Sequence, residues 1–175
     1  MARRVSRLGR NFFERDVLEV APDLIGRVLV RQFEDGSEFR ARIVEMEAYR
    51  GEEDLACHAR FGKTERNKVM YGKAGVVYVY LIYGMYWMLN FVTGKADEPQ
   101  AVLVRGVEGM IGPGRLGKQL ELDGGFYGED LVKSKRLWVE NCNDEKLEIE
   151  ATNRIGIGYA GEWARKKWRF VAKNC

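Results

Sequence analysis

The sequence predicts an α+β fold, mainly antiparallel β-sheet with a few short helices. Runs of aromatic and β-branched residues recur along the chain and are separated by turn residues, which is typical of strands. Only two stretches have the apolar spacing and start signals of helices. The 175 residues fit a single domain over 1–175, long enough to bury a core without disulfide staples.

The first half of the chain predicts one helix, two strands and a long loop. The helix is expected over Phe12–Val20, where apolar residues follow a capping asparagine. Arg27–Phe33 has the composition of a strand, an Asp-Gly turn follows, and Ser37–Tyr49 predicts a long return strand. Residues 50–73 are polar and predict a loop of a length that usually carries function.

The second half predicts a β-hairpin from Val76–Tyr83 and Tyr86–Val92. The Gly84-Met85 pair between them suits a type II′ turn, which favours glycine first. Ala101–Val107 predicts a further strand. A helix is expected over Gly114–Leu122, because proline is favoured in the first turn of a helix and Pro113 stands there. Three shorter strands are expected at Leu137–Val139, Lys146–Glu150 and Trp168–Ala172.

Composition excludes several kinds of protein. A net charge of +3, from 29 basic and 26 acidic residues, excludes a histone-like polycation. The single histidine, His58, excludes HExxH zinc sites, and three cysteines without a CxxC pair argue against a disulfide framework. We therefore expect no metal site.

No stretch predicts a signal peptide, and no apolar run is long enough to span a bilayer. This indicates a soluble intracellular protein with no membrane partner. It would be cytoplasmic or nucleoid-associated in a prokaryote and nuclear in a eukaryote.

Charge is uneven along the chain. Residues 60–73 hold five bases and one acid, and residues 154–175 hold six bases and one acid. Residues 140–150 hold five acids and one base. Such stretches are typical of solvated loops and equally of surfaces that bind nucleic acid, and composition alone leaves both interpretations open.

The strand ending at Tyr49 carries candidate catalytic groups. Alternation places Glu45, Glu47 and Tyr49 on one face, while the apolar residues between them can fill a core. Strand carboxylates are most often solvated, but in a cleft one of them could act as a general base on water. Arg105 is a charge inside an apolar strand, so it needs a partner, for which Glu47 is a natural choice.

The hairpin carries candidate binding groups. Tyr83 and Tyr86 flank the predicted turn and could stiffen it as a cross-strand pair. Alternatively, Tyr83 projects from the tip and wedges between DNA base steps. Tyr80 could be a core tyrosine or the wall of a pocket that stacks a base. His58 alone is typical of a structural hydrogen-bonding residue.

Six segments identify a family when taken in order: EMEAYRGEEDLACHA, ERN, VYVYLIYGMYWMLN, AVLVRGVEG, GPGRL and IGIGYAGEWARK. From about Phe12 to Phe170 the chain resembles the single-domain, mammalian-type 3-methyladenine (alkyladenine) DNA glycosylases. The resemblance implies a base-excision-repair hydrolase that needs no cofactor. Such an enzyme flips alkylated, and in many members deaminated, purines out of duplex DNA and hydrolyses the N-glycosidic bond.

The resemblance also implies a role for each matched residue. Glu47 would deprotonate a water that Arg105 and the backbone carbonyl of Ile155 hold. Tyr83 would intercalate from a protruding β-hairpin that enters the minor groove. The flipped base would be bound by Tyr49, His58, Tyr80 and Asn90, the last of which disfavours guanine. Further DNA contacts are expected from Met85, Arg66, Arg115 and Lys118.

The predicted turn conflicts with two of these roles. A two-residue turn pairs residue 79 with residue 90, which puts Asn90 on the face of Tyr83 instead of that of Tyr80. A bulge or a strong twist is then required for Asn90 and Tyr80 to line one pocket.

Three functions remain open from the residues. The first is a monofunctional glycosylase acting as a monomer, with no Schiff base and no strand cleavage, since no lysine is among the matched catalytic residues. The second is a catalytically silent damaged-DNA-binding protein on the same fold. The third is a small-molecule hydrolase with Glu45 and Glu47 as its two carboxylates.

Overall fold

The computed structural model describes residues 5–142 and 146–175. Within these ranges a curled antiparallel sheet and a few short helices form the α+β fold that the sequence predicts. The acidic stretch 140–150 is covered only in part, because residues 143–145 lie outside the described residues. Among the helices described, none has the length and apolar character needed to cross a membrane.

The described strands follow the predicted order, except that the short strand Met110–Ile111 was not predicted and the strand expected over Lys146–Glu150 begins only at Ile149. The strands are β1 (Val28–Gln32), β2 (Glu38–Arg50), β3 (Val77–Ile82), β4 (Tyr86–Thr93), β5 (Gln100–Val107), β6 (Met110–Ile111), β7 (Leu137–Glu140), β8 (Ile149–Thr152) and β9 (Arg169–Ala172). The helices are α1 (Arg10–Phe13), α2 (Val17–Leu24) and α3 (Pro113–Gln119). Short 3-10 helices occupy His58–Phe61, Lys68–Tyr71, Gly124–Phe126 and Gly158–Arg165.

The long strand β2 organises the sheet, whose main path runs β3-β4-β5-β2-β1-β7. The first part of β2 pairs with β1, and its last part lies between β5 and β9. Met46 and Ala48 are fully buried in the core, as the alternation predicts. Because side chains alternate along a strand, Glu45 and Glu47 lie on the face of the sheet opposite that of Met46 and Ala48.

The predicted helix over Phe12–Val20 is wrong in its extent, because two helices replace it. Asp16 has an extended backbone, and its side chain accepts a hydrogen bond from the amide of Leu18, which makes it the N-cap of α2. Arg50 holds the same carboxylate at 2.7 Å. A capping aspartate therefore starts a new helix at a point where apolar spacing alone predicts that one helix continues.

The predicted Gly84-Met85 type II′ turn is also wrong. The amide of Met85 donates to the carbonyl of Ile82 at 3.0 Å, so Tyr83 and Gly84 are the central residues of the turn. Both have positive φ, 50° and 64°, which is the type I′ pattern. Ile82 pairs with Tyr86 across a three-residue loop.

This loop shifts the register of the hairpin by one residue, so that Asn90 pairs with Tyr78. A shift of one residue exchanges the two faces of a strand. Asn90 consequently lies on the face of Tyr78 and Tyr80, and the hairpin needs no bulge to bring these side chains together.

Helix α3 packs against β4, where it contacts the first residues after the hairpin turn. Two glycines permit this contact: a Cβ on Gly117 would lie 2.1 Å from the carbonyl oxygen of Trp87, and one on Gly114 would lie 2.9 Å from the ring of Tyr86. Arg115 and Lys118 are exposed. The helix therefore presents two cations beside the hairpin.

Candidate active site

A cavity of about 390 Å³ opens on the face of the sheet opposite the main core. It belongs to the strands that carry the predicted site. Across these strands, Leu103 of β5 pairs with both Glu47 of β2 and Asn90 of β4. The structure brings seven of the predicted site residues to its wall: Tyr49, His58, Arg66, Tyr80, Asn90, Arg105 and Ile155.

Glu47 lies just behind this wall and is fully buried. Its Oε1 accepts a hydrogen bond from the hydroxyl of Tyr49 at 2.8 Å, and its Oε2 accepts one from the amide of Ile155 at 2.7 Å. Arg105 Nη1 is 3.6 Å from Oε1. Burial raises the pKa of Glu47 above its usual value, while Arg105 and the two hydrogen bonds oppose that rise. A buried carboxylate with an elevated pKa is suited to proton transfer.

The backbone of Ile155 contacts Glu47 through its N–H group. The resemblance implies that the carbonyl of Ile155 holds a water, whereas the contact present here is the amide. Ile155 lies 108 positions from Glu47 in the sequence, and its side chain is half-exposed at the cavity wall. The loop after β8 is therefore what closes the cavity over Glu47.

Arg105 is the extra residue of a β-bulge. Glu45 pairs with Gly106 and Met46 pairs with Val104, which leaves Arg105 without an opposite partner in β2. Its Nε is 3.2 Å from Glu45 Oε1, and Arg169 Nε reaches the same oxygen at 2.7 Å. The predicted pairing of Arg105 with a site acid is present, and it involves both carboxylates.

The three aromatic residues predicted to hold a base are not arranged as three separate walls. His58 and Tyr80 are in edge contact, with ring centroids 4.5 Å apart and planes at 68°. A ring inserted between two aromatic planes needs about 3.5 Å on each side, so no base fits between these two. His58 and Tyr80 therefore form one wall of the cavity, which Tyr49 also lines.

His58 is held neutral in this wall. Burial, followed by the charges of Arg66 and Arg60, lowers the pKa of His58 to about 4. Its Nδ1 is hydrogen-bonded at 2.8 Å to the hydroxyl of Tyr78, which is almost fully buried behind it. The imidazole therefore acts as a fixed, uncharged surface near neutral pH.

The loop 50–73 that presents His58 is ordered by an asparagine that the sequence reasoning missed. Asn67 is buried, and its Nδ2 donates to the carbonyls of His58 and Gly62, both at 3.0 Å. Its Oδ1 accepts from the amide of Thr64 at 2.7 Å. One side chain thus replaces the backbone pairing that a loop lacks.

Asn90 is buried in the cavity floor with a fixed orientation. Its Nδ2 donates to the backbone carbonyl of Tyr78 at 3.1 Å and to that of Met88 at 3.5 Å. A rotated amide would place an oxygen against these two carbonyls, which is unfavourable. The size of the floor is consequently set by a side chain that cannot move aside freely.

Tyr83 and Met85 lie at the hairpin tip and do not line the cavity. The side chain of Tyr83 is 88% exposed, and Met85 is also exposed. Arg66 does line the cavity, with its guanidinium carbon 5.1 Å from the Tyr80 ring centroid. Lys118 Nζ lies 4.8 Å from the ring of Tyr86, beside the hairpin.

Only some of the basic side chains in residues 60–73 and 154–175 are free to contact a ligand. Arg154 is buried, and Arg169 binds Glu45 in the site. Lys68 and Lys73 are paired with Glu65 and Asp130. The charge counts of 60–73 and 154–175 therefore overstate the positive charge available to a ligand.

The sequence reasoning also missed a buried ion pair, Asp54–Arg154, beside the site. Both residues were hidden in charge-rich segments, where a solvated role is the ordinary expectation. Within the described parts of the chain, no group of three or more His, Cys, Asp or Glu side chains could hold a metal ion.

Comparisons with known proteins agree on one family. The family model described as methylpurine-DNA glycosylase (MPG) matches residues 11–112 and 108–175. A protein from Methanocella arvoryzae is 46% identical over 95% of this chain and 92% of its own length. Relatives from Anaeromyxobacter sp. and Natranaerobius thermophilus are 46% and 39% identical, each over 96% of this chain and over 90% and 96% of their own. All three bear the name "Putative 3-methyladenine DNA glycosylase".

Proposed function

The chain belongs to the methylpurine-DNA glycosylase family, and on that premise we propose that it flips alkylated purines, 3-methyladenine among them, out of duplex DNA and excises them. Membership makes the chain a monofunctional DNA glycosylase, a hydrolase of N-glycosyl bonds. The substrate, the flipping step and the water-activating residue are parts of our proposal. Deaminated purines such as hypoxanthine are a second substrate class within it.

In the proposed reaction, Glu47 activates water. The water binds between Glu47 and Arg105 and attacks C1′ of the flipped nucleotide, while its proton passes to Glu47. The N-glycosidic electrons leave with the purine, giving a free base and an abasic site. The support is the position of Glu47, buried at the cavity edge beside a guanidinium that stabilises its deprotonated form. Excision should increase with pH as this carboxyl ionises.

The cavity supports a binding site for a planar ligand such as a purine base. Its volume lies within the usual range of small-ligand pockets, about 300–1,000 Å³. The aromatic surfaces of Tyr49, Tyr80 and neutral His58 suit stacking of a flipped base. Asn90 on the floor would exclude a guanine 2-amino group, because two hydrogen bonds prevent its retreat.

The hairpin supports the DNA-binding part of the proposal. Tyr83 is a large apolar side chain exposed at a tip, where it can enter the stack and fill the space of the flipped nucleotide. Met85 accompanies it at the tip. Arg66 at the cavity wall and Arg115 and Lys118 on α3 are the cations that would contact phosphates.

The alternatives account for fewer of these features. A catalytically silent DNA-binding protein has no need for a buried carboxylate whose pKa burial raises. A hydrolase that uses Glu45 and Glu47 as a pair needs a second free carboxylate. Glu45 is instead bound by Arg105 and Arg169, which neutralise it.

The observation that carries the proposal is Glu47 beside Arg105 at the end of an aromatic cavity. The test is release of free base from alkylated and hypoxanthine-containing duplexes, with undamaged duplex as control. We expect release of 3-methyladenine above its spontaneous rate, unaffected by EDTA and without borohydride-trapped adducts. Release no faster than the spontaneous rate would contradict the function.

A further inference from the structure

The Asp54–Arg154 ion pair lies entirely out of solvent. Arg154 Nη1 is 2.6 Å from Asp54 Oδ2, and Nη2 is 2.9 Å from Oδ1, so the contact is bidentate. Asp54 also accepts hydrogen bonds from the amides of Arg50 and Ala56, both at 3.0 Å. The carboxylate is therefore bound from the loop after β2 and from the loop after β8 at once.

The guanidinium of Arg154 contacts the surroundings of Glu47 from three sides. Nη1 donates to the carbonyl of Ala48, which lies between Glu47 and Tyr49 in β2, at 2.9 Å. Its guanidinium carbon lies 4.9 Å from the ring of Tyr49 and 5.0 Å from that of Trp168. The next residue, Ile155, donates its amide proton to Glu47. Of the two groups that hydrogen-bond Glu47, Tyr49 thus lies against the guanidinium of Arg154, and the amide of Ile155 follows Arg154 directly in the chain.

A pair of this kind is not explained by stability alone. Burying two charges costs more than a well-packed apolar pair in many proteins. Within the described residues, Arg154 Nε is buried with no hydrogen-bond partner, which adds to that cost. The geometry that the pair fixes is the distinctive feature, because it joins the two segments that hold the Glu47 carboxylate.

From this geometry we infer that Asp54 and Arg154 are positioning residues that orient the Glu47 carboxylate through Tyr49 and Ile155. The inference rests on the proposed function, since it assigns the pair to the water-activating step. Neither residue lines the cavity, so neither is expected to contact the base. Their removal should slow excision and leave recognition of damaged DNA largely intact.

The test uses Arg154→Lys, which keeps the charge but loses the bidentate fork, and Arg154→Met, which loses both. A misplacement of about 1 Å at a reacting group, caused by a change away from the chemistry, can cost about 100-fold in rate. We expect single-turnover excision to fall about 10-fold for lysine and about 100-fold for methionine, with the Kd for damaged duplex changing less than about threefold. The matched control is Arg10→Lys, which alters a carboxylate- and carbonyl-bound arginine away from the cavity.

A pH profile separates positioning from general stability. The groups that act on the charge of Glu47 are Arg105, Tyr49, the Ile155 amide and Arg154, whose charge lowers the pKa of Glu47. Arg154→Met should therefore move the midpoint of the excision rate to higher pH, and Arg154→Lys should move it less.

Rates equal to those of Arg10→Lys, or losses of rate and affinity in parallel, would overturn the positioning role. Unfolding of both Arg154 variants at 25 °C would overturn it too, because the pair would then be a stability element. These outcomes differ from failure of the proposed function, in which the unaltered protein itself releases no base.

Discussion

At the residue scale, His58 links the cavity to the stability of the fold. Its pKa is lowered to about 4 by burial and by Arg66 and Arg60, from an ordinary value of 6.5. A group whose pKa falls on folding contributes stability above its unfolded pKa and loses it as pH falls through the folded pKa. The contribution of His58 is therefore complete above pH 6.5 and lost progressively towards pH 4.

We predict that His58→Gln unfolds with a shallower loss of stability between pH 6.5 and 4 than the unaltered protein. Glutamine can still hydrogen-bond the hydroxyl of Tyr78 but carries no proton that titrates in this window. Urea unfolding at several pH values measures the difference. Parallel curves for the two proteins would show that His58 titrates as it does in the unfolded chain.

Residue-level prediction succeeded where the signal is local. Alternation in β2 assigns Glu47 to the face away from the core, and a charge inside an apolar strand identifies Arg105 as a residue needing an acid. The amide of Ile155 gives no such signal, because any residue has one and the contact spans 108 positions. Asp54 and Arg154 were missed for a related reason: nothing local distinguishes a buried charge from a solvated one.

At the element scale, the hairpin holds Tyr83 in an unusual backbone conformation. A bulky residue at φ 50° is uncommon, and such strain tends to be kept at functional sites. Tyr83 is also 88% exposed, so the fold gains little from its ring. Strain and exposure together agree with a side chain retained for contact with a partner.

We predict that Tyr83→Ser changes the free energy of unfolding by no more than about 0.5 kcal/mol, as is usual for exposed positions. Its binding to damaged duplex should weaken, because the wedge is gone, while binding to single strands should change little. Fluorescence anisotropy with both DNAs measures this. Tyr83→Phe, which retains the ring, is the control, and equal duplex affinity for all three proteins would refute the wedge.

Element positions were predictable and their connections less so. The order of strands follows from apolar patterning, but the turn was assigned to Gly84-Met85, one residue beyond its true centre. Glycine tolerates positive φ at either central position of a turn, so composition cannot fix the register. That one residue decides whether Asn90 faces the cavity, so composition alone does not place it there.

At the scale of the whole molecule, the net charge of +3 conceals which cations are available. Several bases are paired with acids, whereas Lys118 lies over an aromatic ring beside the hairpin. A cation that neutralises a phosphate releases counterions, so its removal changes the dependence of affinity on salt.

We predict that Lys118→Ala weakens binding to damaged and undamaged duplex alike. It should also make the association constant less dependent on salt, so that the negative slope of log K against log salt becomes smaller in magnitude by about 0.9. Lys73→Ala is the matched control, because Lys73 is already paired with Asp130 at 3.1 Å. Titrations at three or more salt concentrations give the slopes. A slope that Lys118→Ala leaves unchanged would remove Lys118 from the DNA contact.

The central claim is that Glu47 activates the water that cleaves the N-glycosidic bond. The most direct measurement compares Glu47→Gln with the unaltered protein on 3-methyladenine duplex, recording affinity and single-turnover release separately. A lost general base typically costs about 10²–10⁴-fold in rate. We predict a rate loss of about that size with damaged-duplex affinity retained, and release at an unaltered rate would contradict the account.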